Sequence, residues 1–330
     1  MPVLRIRSGS CLVAAIAVIA VIAVTACHRQ PSSDEHMDHM AAGDLAVPAA
    51  RAGADQGPTN LPPSNDHAAA RIAASPRHAE WVKVAWEPGS SDSLMAWIVY
   101  PSTSRAKTPV VVVVHEIYGL STWVRGVADQ VAAEGFIAIA PDLESRVRGG
   151  PSTDELSHDS ATKLIRGVTP AERNRGIDAV ARYAMSQASA APRYAVIGYC
   201  WGGSTVWIHA TNGGIKGYSG GVAFYGQPYM NGAVPIGDSL MKITKPVMLL
   251  SGSKDARIGA SMPAIDSAMK ALGKSYYGKN YEGAIHGFLR AQDDPKTPTP
   301  DPAEAAANLA ATKDAWPRTV EFLKTNLGMK

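Results

Sequence analysis

Cys200 lies in the run Gly198-Tyr199-Cys200-Trp201-Gly202-Gly203, the G-x-S-x-G pattern of a strained strand-to-helix turn with cysteine in the serine position. The glycines carry a steric argument: side chains beside such a turn would collide with the strand or the helix. The turn pushes the Cys200 side chain out above a sheet edge. The amide of Trp201, at the start of the following helix, then faces a reacting carbonyl. The same helix end favours a thiolate. No G-K-[ST] follows, which excludes a Walker phosphate loop. A small buried cysteine beside a glycine turn is the chemically silent alternative.

An elbow nucleophile needs an acid and then a histidine, in that chain order. Only His209 and His286 follow Cys200. His209 falls inside the helix that Cys200 opens and should point away. His286, in Gly283-Ala284-Ile285-His286-Gly287-Phe288, is placed to act as a neutral general base. Asp255 closes Ser251-Gly252-Ser253-Lys254-Asp255, directly after the apolar run Val247 to Leu250, and would hold the imidazole in its useful tautomer. Alone, Asp255 reads as a helix cap or turn residue and His286 as a loop histidine. Three residue types in the required order, each in a loop after a strand, point together to a Cys-His-Asp triad.

The elements that must carry these loops are legible as periodicity. Leu94 to Tyr100, Val110 to Val114, Phe136 to Ala140, Tyr194 to Ile197, Gly221 to Tyr225 and Val247 to Leu250 read as strands. The unbroken valine run suits a strand buried on both faces. Helices are predicted over Thr122 to Glu134, from Thr169-Pro170-Ala171-Glu172 to about Ala188, over Ala260 to Leu272 and over Ala303 to Leu327. Pro317 should kink or divide the last of these. Trp207, Tyr218, Tyr225 and Tyr229 either line a pocket or pack in the core. Strands alternating with helices give an α/β fold, a mostly parallel central sheet with helices on both faces.

Residues from about 81 to 330 resemble the dienelactone hydrolase family of α/β-hydrolases. The likeness rests on His115-Glu116-Ile117-Tyr118-Gly119, Ala140-Pro141-Asp142-Leu143, the cysteine elbow, Gly252-Ser253-Lys254-Asp255 and His286-Gly287-Phe288. The resemblance implies a hydrolase of a small-molecule ester or lactone that needs no cofactor and no metal. It implies that Glu116 interacts with the resting cysteine, that the amides of Ile117 and Trp201 form the oxyanion hole, and that Arg290 receives a substrate carboxylate. A second arginine upstream of the elbow is also implied, with Arg146, Arg148 and Arg166 in range. A thioester is best formed from an activated ester, whose enolate leaving group does not return as a nucleophile. Other classes remain: a thioesterase or peptidase on the same fold, or a catalytically inactive envelope binding protein.

Composition sets the outer bounds. With 330 residues, 46% of them hydrophobic, the chain can bury a full core, and a net charge of +3 is too small for a nucleic-acid binder relying on basic surface. Cys11, Cys27 and Cys200 cannot form a disulfide framework. Residues 1–26 read as an export signal, with Arg5 and Arg7 before an apolar stretch and Val24-Thr25-Ala26-Cys27 resembling a lipobox. Cys27 would then carry the lipid, and His28 after it favours the outer membrane. Residues 27–79 read as a flexible tether, leaving 80–330 as the hydrolase domain, expected to act as a monomer. His36 and His39, with Met37 and Met40, could bind a metal, though a solvated tether is the plainer reading.

Overall fold

The computed structural model describes residues 55–103, 107–153, 157–292 and 301–329. The chain divides into Met1–His39 and Met40–Lys330, and all described residues belong to the second unit. The expected signal over residues 1–26, Cys27, His36 and His39 lie outside the described residues. Among the described residues no helix is long and apolar enough to cross a membrane.

An eight-stranded sheet forms the centre. Its strands are β1 (Ala79–Ala85), β2 (Ser93–Val99), β3 (Thr108–Val114), β4 (Ile137–Asp142), β5 (Ala190–Tyr199) and β6 (Tyr218–Phe224). A two-residue hairpin, β7 (Met230–Asn231) and β8 (Val234–Pro235), precedes the last two sheet strands, β9 (Val247–Gly252) and β10 (Tyr276–Tyr281). The spatial order is β1-β2-β4-β3-β5-β6-β9-β10. β2 pairs antiparallel with both β1 and β4, and every other pair is parallel. Every residue of β3 is buried, as its valine run requires.

Alternate β3 side chains feed two core layers. Val111 and Val113 pack with Trp123, of the helix Thr122–Ala133, and with Trp316 and Leu323, of the helix Pro302–Leu327. Val110, Val112 and Val114 pack with Ile177, Val206, Trp207 and Ile265, from the helices Pro170–Met185, Trp201–Asn212 and Ile258–Ala271. The helix at Pro170 begins with a complete capping box between Thr169 and Glu172.

The structure departs from the sequence reading at three places. Pro317 does not divide the C-terminal helix, which runs unbroken from Pro302 to Leu327. Buried Trp316 and Val320 on either side of it hold the helix to the core, and that packing outweighs one missing hydrogen bond. The tether does not extend to residue 79. A helix spans Ala68–Ala73, and Leu61, Ala68 and Arg71 are buried against the domain. β1 and β10 are strands that hydropathy alone did not mark, because both lie at sheet edges and bury few of their side chains.

Candidate active site

The elbow is built by close backbone contacts. Cys200 takes φ 56° and ψ −113°, between the end of β5 and the first residue of the helix Trp201–Asn212. Its N–H donates to Phe224 O at 3.0 Å, tying the turn to β6. A Cβ on Gly198 would lie 2.2 Å from Gly202 O, one on Gly202 2.4 Å from Val114 O, and one on Gly203 2.4 Å from Phe224 O. All three neighbours are backbone and cannot swing aside, so the glycines are steric requirements of a non-glycine residue held at positive φ.

Asp255 and His286 arrive on two loops pressed against each other at the ends of β9 and β10. Lys254 N–H donates to Ala284 O at 3.0 Å, and Gly283 N–H to Ser253 Oγ at 2.9 Å. Asp255 uses both oxygens. Oδ1 accepts from the amides of Arg257 and Ile258 at 3.2 and 3.1 Å, and Oδ2 lies 2.5 Å from His286 Nδ1. Asp255 thus serves a turn and orients a histidine at once. Burial opposes its charge, but the hydrogen bonds from His286 and the Ile258 amide outweigh that and hold its pKa below the ordinary carboxylate range.

With Nδ1 engaged by Asp255, Nε2 is the His286 nitrogen left to face Cys200, which lies near enough to act on its titration. Burial works against an imidazolium here, yet the bond to Asp255 and the nearby Cys200 prevail and raise His286 to about 9. The imidazole expected from the sequence as a neutral base is therefore biased toward its protonated form. Tyr225, buried and at φ 38°, sets its ring 5.0 Å from that of His286. The hydroxyls of Tyr225 and Tyr199 are buried with no hydrogen-bond partner among the described residues.

The loop after β3 brings Glu116 and Ile117 to the same end of the sheet. Glu116 is buried, and its Oε2 lies 3.0 Å from Arg290 Nε. Arg290 also stands over the Tyr118 ring, 5.8 Å from its centroid. His115 pins this loop. Its Nδ1 lies 2.7 Å from Glu116 O, and Leu143 N–H donates to its Nε2 at 3.1 Å. That pattern assigns the proton to Nδ1, and full burial holds the ring neutral by lowering its pKa. The His115 ring stacks on Trp201 with centroids 5.5 Å apart, linking the loops of the two predicted oxyanion donors. Trp201 opens its helix, so its N–H has no intrahelical acceptor.

Cys200, His286 and Asp255 are therefore brought together, with the Glu116–Arg290 pair beside them. The three upstream arginines are occupied or elsewhere. Arg148 binds Asp142 at 2.7 Å and Glu144 at 3.2 Å, Arg146 pairs with Asp92 and Glu172, and Arg166 is exposed. His209 is buried between Tyr194 and Asn174, away from the site. Trp207 and Tyr218 pack in the core, while Tyr225 is a site residue. Nothing in the sequence analysis separated these aromatics. His115 was legible as part of a motif, but its role as a pin needed the fold.

A family model described as "Dienelactone hydrolase family" matches residues 94–327. A Salmonella typhimurium protein named "Putative carboxymethylenebutenolidase" is 28% identical over 249 residues, covering 74% of this chain and 87% of that protein. The crystal structure of a "Putative Dienelactone Hydrolase from Klebsiella pneumoniae" superposes with a TM-score of 0.60 at 25% identity, covering 74% of this chain and 98% of that one. A dienelactone hydrolase-like promiscuous phosphotriesterase from metagenomic libraries shares the fold at a TM-score of 0.57 and 21% identity, covering 75% of this chain and 98% of that one.

Proposed function

The chain belongs to the dienelactone hydrolase family, and from that premise we propose that it hydrolyses an activated carboxylic ester or lactone through a Cys200 thioester. The observation that carries this reading is the position of His286, bonded through Nδ1 to Asp255 and close to Cys200 at the elbow. The Cys200 sulfur uses a lone pair to bond the substrate carbonyl carbon, and the carbonyl π pair moves onto the oxygen. The amides of Ile117 and Trp201 donate to that oxyanion. Collapse expels the alkoxide or enolate, which takes up a proton from His286, and leaves an acyl group on sulfur. A water then gives a proton to His286 and attacks the thioester. The carboxylic acid departs, and the sulfur and the proton return to their resting pair. Asp255 steadies the imidazolium at each step.

Arg290 defines the substrate class. Its guanidinium offers a planar fork of donors close to Cys200, suited to a carboxylate on the acyl or leaving side. The name of the Salmonella relative, a carboxymethylenebutenolidase, describes such a carboxylate-bearing lactone. The lipobox-like junction at Cys27 adds the proposal that the enzyme works at the cell envelope on a lipid tether. Membrane fractionation of the full chain and of Cys27→Ala tests the anchor.

The function is tested with dienelactone and an activated aryl ester, comparing the chain with Cys200→Ala. Turnover that vanishes in the variant supports the reading. Turnover that survives in Cys200→Ala overturns the thioester route.

A further inference from the structure

The segment Pro62–Ala74 lies upstream of the family match at 94–327, yet it is bonded to the loop that carries Arg290. The Asn65 N–H donates to the Arg290 carbonyl at 2.9 Å. Gln292, buried two residues on, donates through Nε2 to Pro62 O and to Leu289 O, both at 2.9 Å. One side-chain amide thus bridges this segment and the turn Phe288–Ala291.

The other side of the segment is fastened to the helix Thr122–Ala133. Trp123 Nε1 donates to Pro63 O at 3.0 Å. Gly126 leaves the room that Pro63 fills, since a Cβ there would lie 2.8 Å from Pro63 Cγ. Arg71 is buried; it donates to Pro58 O at 2.7 Å, to Leu61 O at 3.2 Å and to Gln130 Oε1 at 2.5 Å. Beyond the short helix, Ser75 and Arg77 bind Asp129. The segment is a strap, anchored at several points to a core helix, with the Pro62 carbonyl and the Asn65 amide bonded to residues 290–292.

We infer that this strap positions Arg290, with Gln292 as the positioning residue that transmits its hold, and so sets how well the site accepts an anionic reactant. The inference deepens the proposed function and rests on it. Without the strap the Arg290 turn is still anchored by buried Phe288 and Leu289, but Arg290 itself keeps its N–H bond to Gly287 O at 2.9 Å and the ion pair with Glu116. The left-handed Gly287, at φ 77°, gives that turn a ready swivel next to His286.

The test alkylates Cys200 in the full chain with iodoacetate and with iodoacetamide, following the Cys200 peptide by mass. The thiolate displaces iodide from either reagent, but only iodoacetate carries a carboxylate for Arg290. Gln292→Met removes the bridge, and Gly126→Ala presses the strap off its helix; neither residue touches Cys200. In both variants the iodoacetate-to-iodoacetamide rate ratio is expected to fall about fivefold, the equivalent of one hydrogen bond, with iodoacetamide changed less than about twofold. Folding is checked by a cooperative melt, and Gly126→Ala decides if Gln292→Met does not fold. An unchanged ratio, or an equal loss with both reagents, overturns the strap's role while leaving Cys200 a nucleophile. A wild-type Cys200 inert to both reagents overturns the proposed function and this inference with it.

Discussion

Arg290 Nε lies 3.0 Å from Glu116 Oε2, yet it is buried without a hydrogen bond of proper alignment. The pair is held by charge more than by geometry. Burial works against the guanidinium's charge, and Glu116 outweighs it to raise the Arg290 pKa.

Arg290→Met would leave the Glu116 carboxylate buried without its cation. A loss of about 3 kcal/mol in unfolding free energy is expected, part of it recovered in the double variant with Glu116→Gln. The KM for a carboxylate-bearing lactone should rise about tenfold or more, the equivalent of about 1.4 kcal/mol, with little change for a neutral ester. Denaturant titration and paired kinetics read both effects, and additive losses in the double variant would deny the coupling.

Asp255→Asn separates the residue's two tasks. An amide oxygen can still accept from the Arg257 and Ile258 amides, so stability should hold. The amide nitrogen would face His286 Nδ1 and impose the wrong tautomer, with kcat falling roughly 10²- to 10⁴-fold. A variant as active as wild type would remove Asp255 from the chemistry.

Acid–base linkage at His286 gives a pH signature. Its pKa is raised from 6.5 to about 9 in the folded state, so the folded state binds its proton more tightly than the unfolded one. The stabilisation is complete below pH 6.5 and is lost as pH rises through about 9. Its size is reduced by solvent, since the side chain is 35% exposed. Wild type should therefore lose more melting temperature between pH 6.5 and 9.5 than His286→Ala, measured by calorimetry. Parallel curves would show that no such proton is held.

Gly202→Ala tests the elbow. Its methyl would meet Val114 O at 2.4 Å and His115 O at 2.5 Å, both main chain. The expected cost is about 3 kcal/mol, with loss of turnover as the oxyanion loop is displaced. A stable, active Gly202→Ala would mean that the turn has slack.

Much of this was legible in the sequence because catalysis requires particular residues in particular loops. The elbow glycines, Asp255 after β9 and His286 near the C-terminus follow from steric and acid–base requirements that act over a few residues. The parallel core strands were equally plain, being fully apolar. What escaped were features fixed by distant partners. β1 and β10 have half-exposed edge patterns. Pro317 is tolerated because of what packs beside it. Pro62, Pro63 and Ser64 look like tether residues until Trp123 and Gln292 are found against them. The partners of Arg148 could not be read from its neighbours in sequence, and neither could the protonation state of His286.

The Gln292–Pro62 hydrogen bond closes a loop of 230 residues. A contact of that span carries a large chain-entropy cost and is among the slowest kind to form. The strap leaves the ribosome early, but its partner emerges only after β10 has been made. A nascent chain that ends before residue 290 has the strap already made but neither its partner nor the core helix Pro302–Leu327. The strap's hold on residues 290–292 therefore closes late, once both ends of the domain have been made.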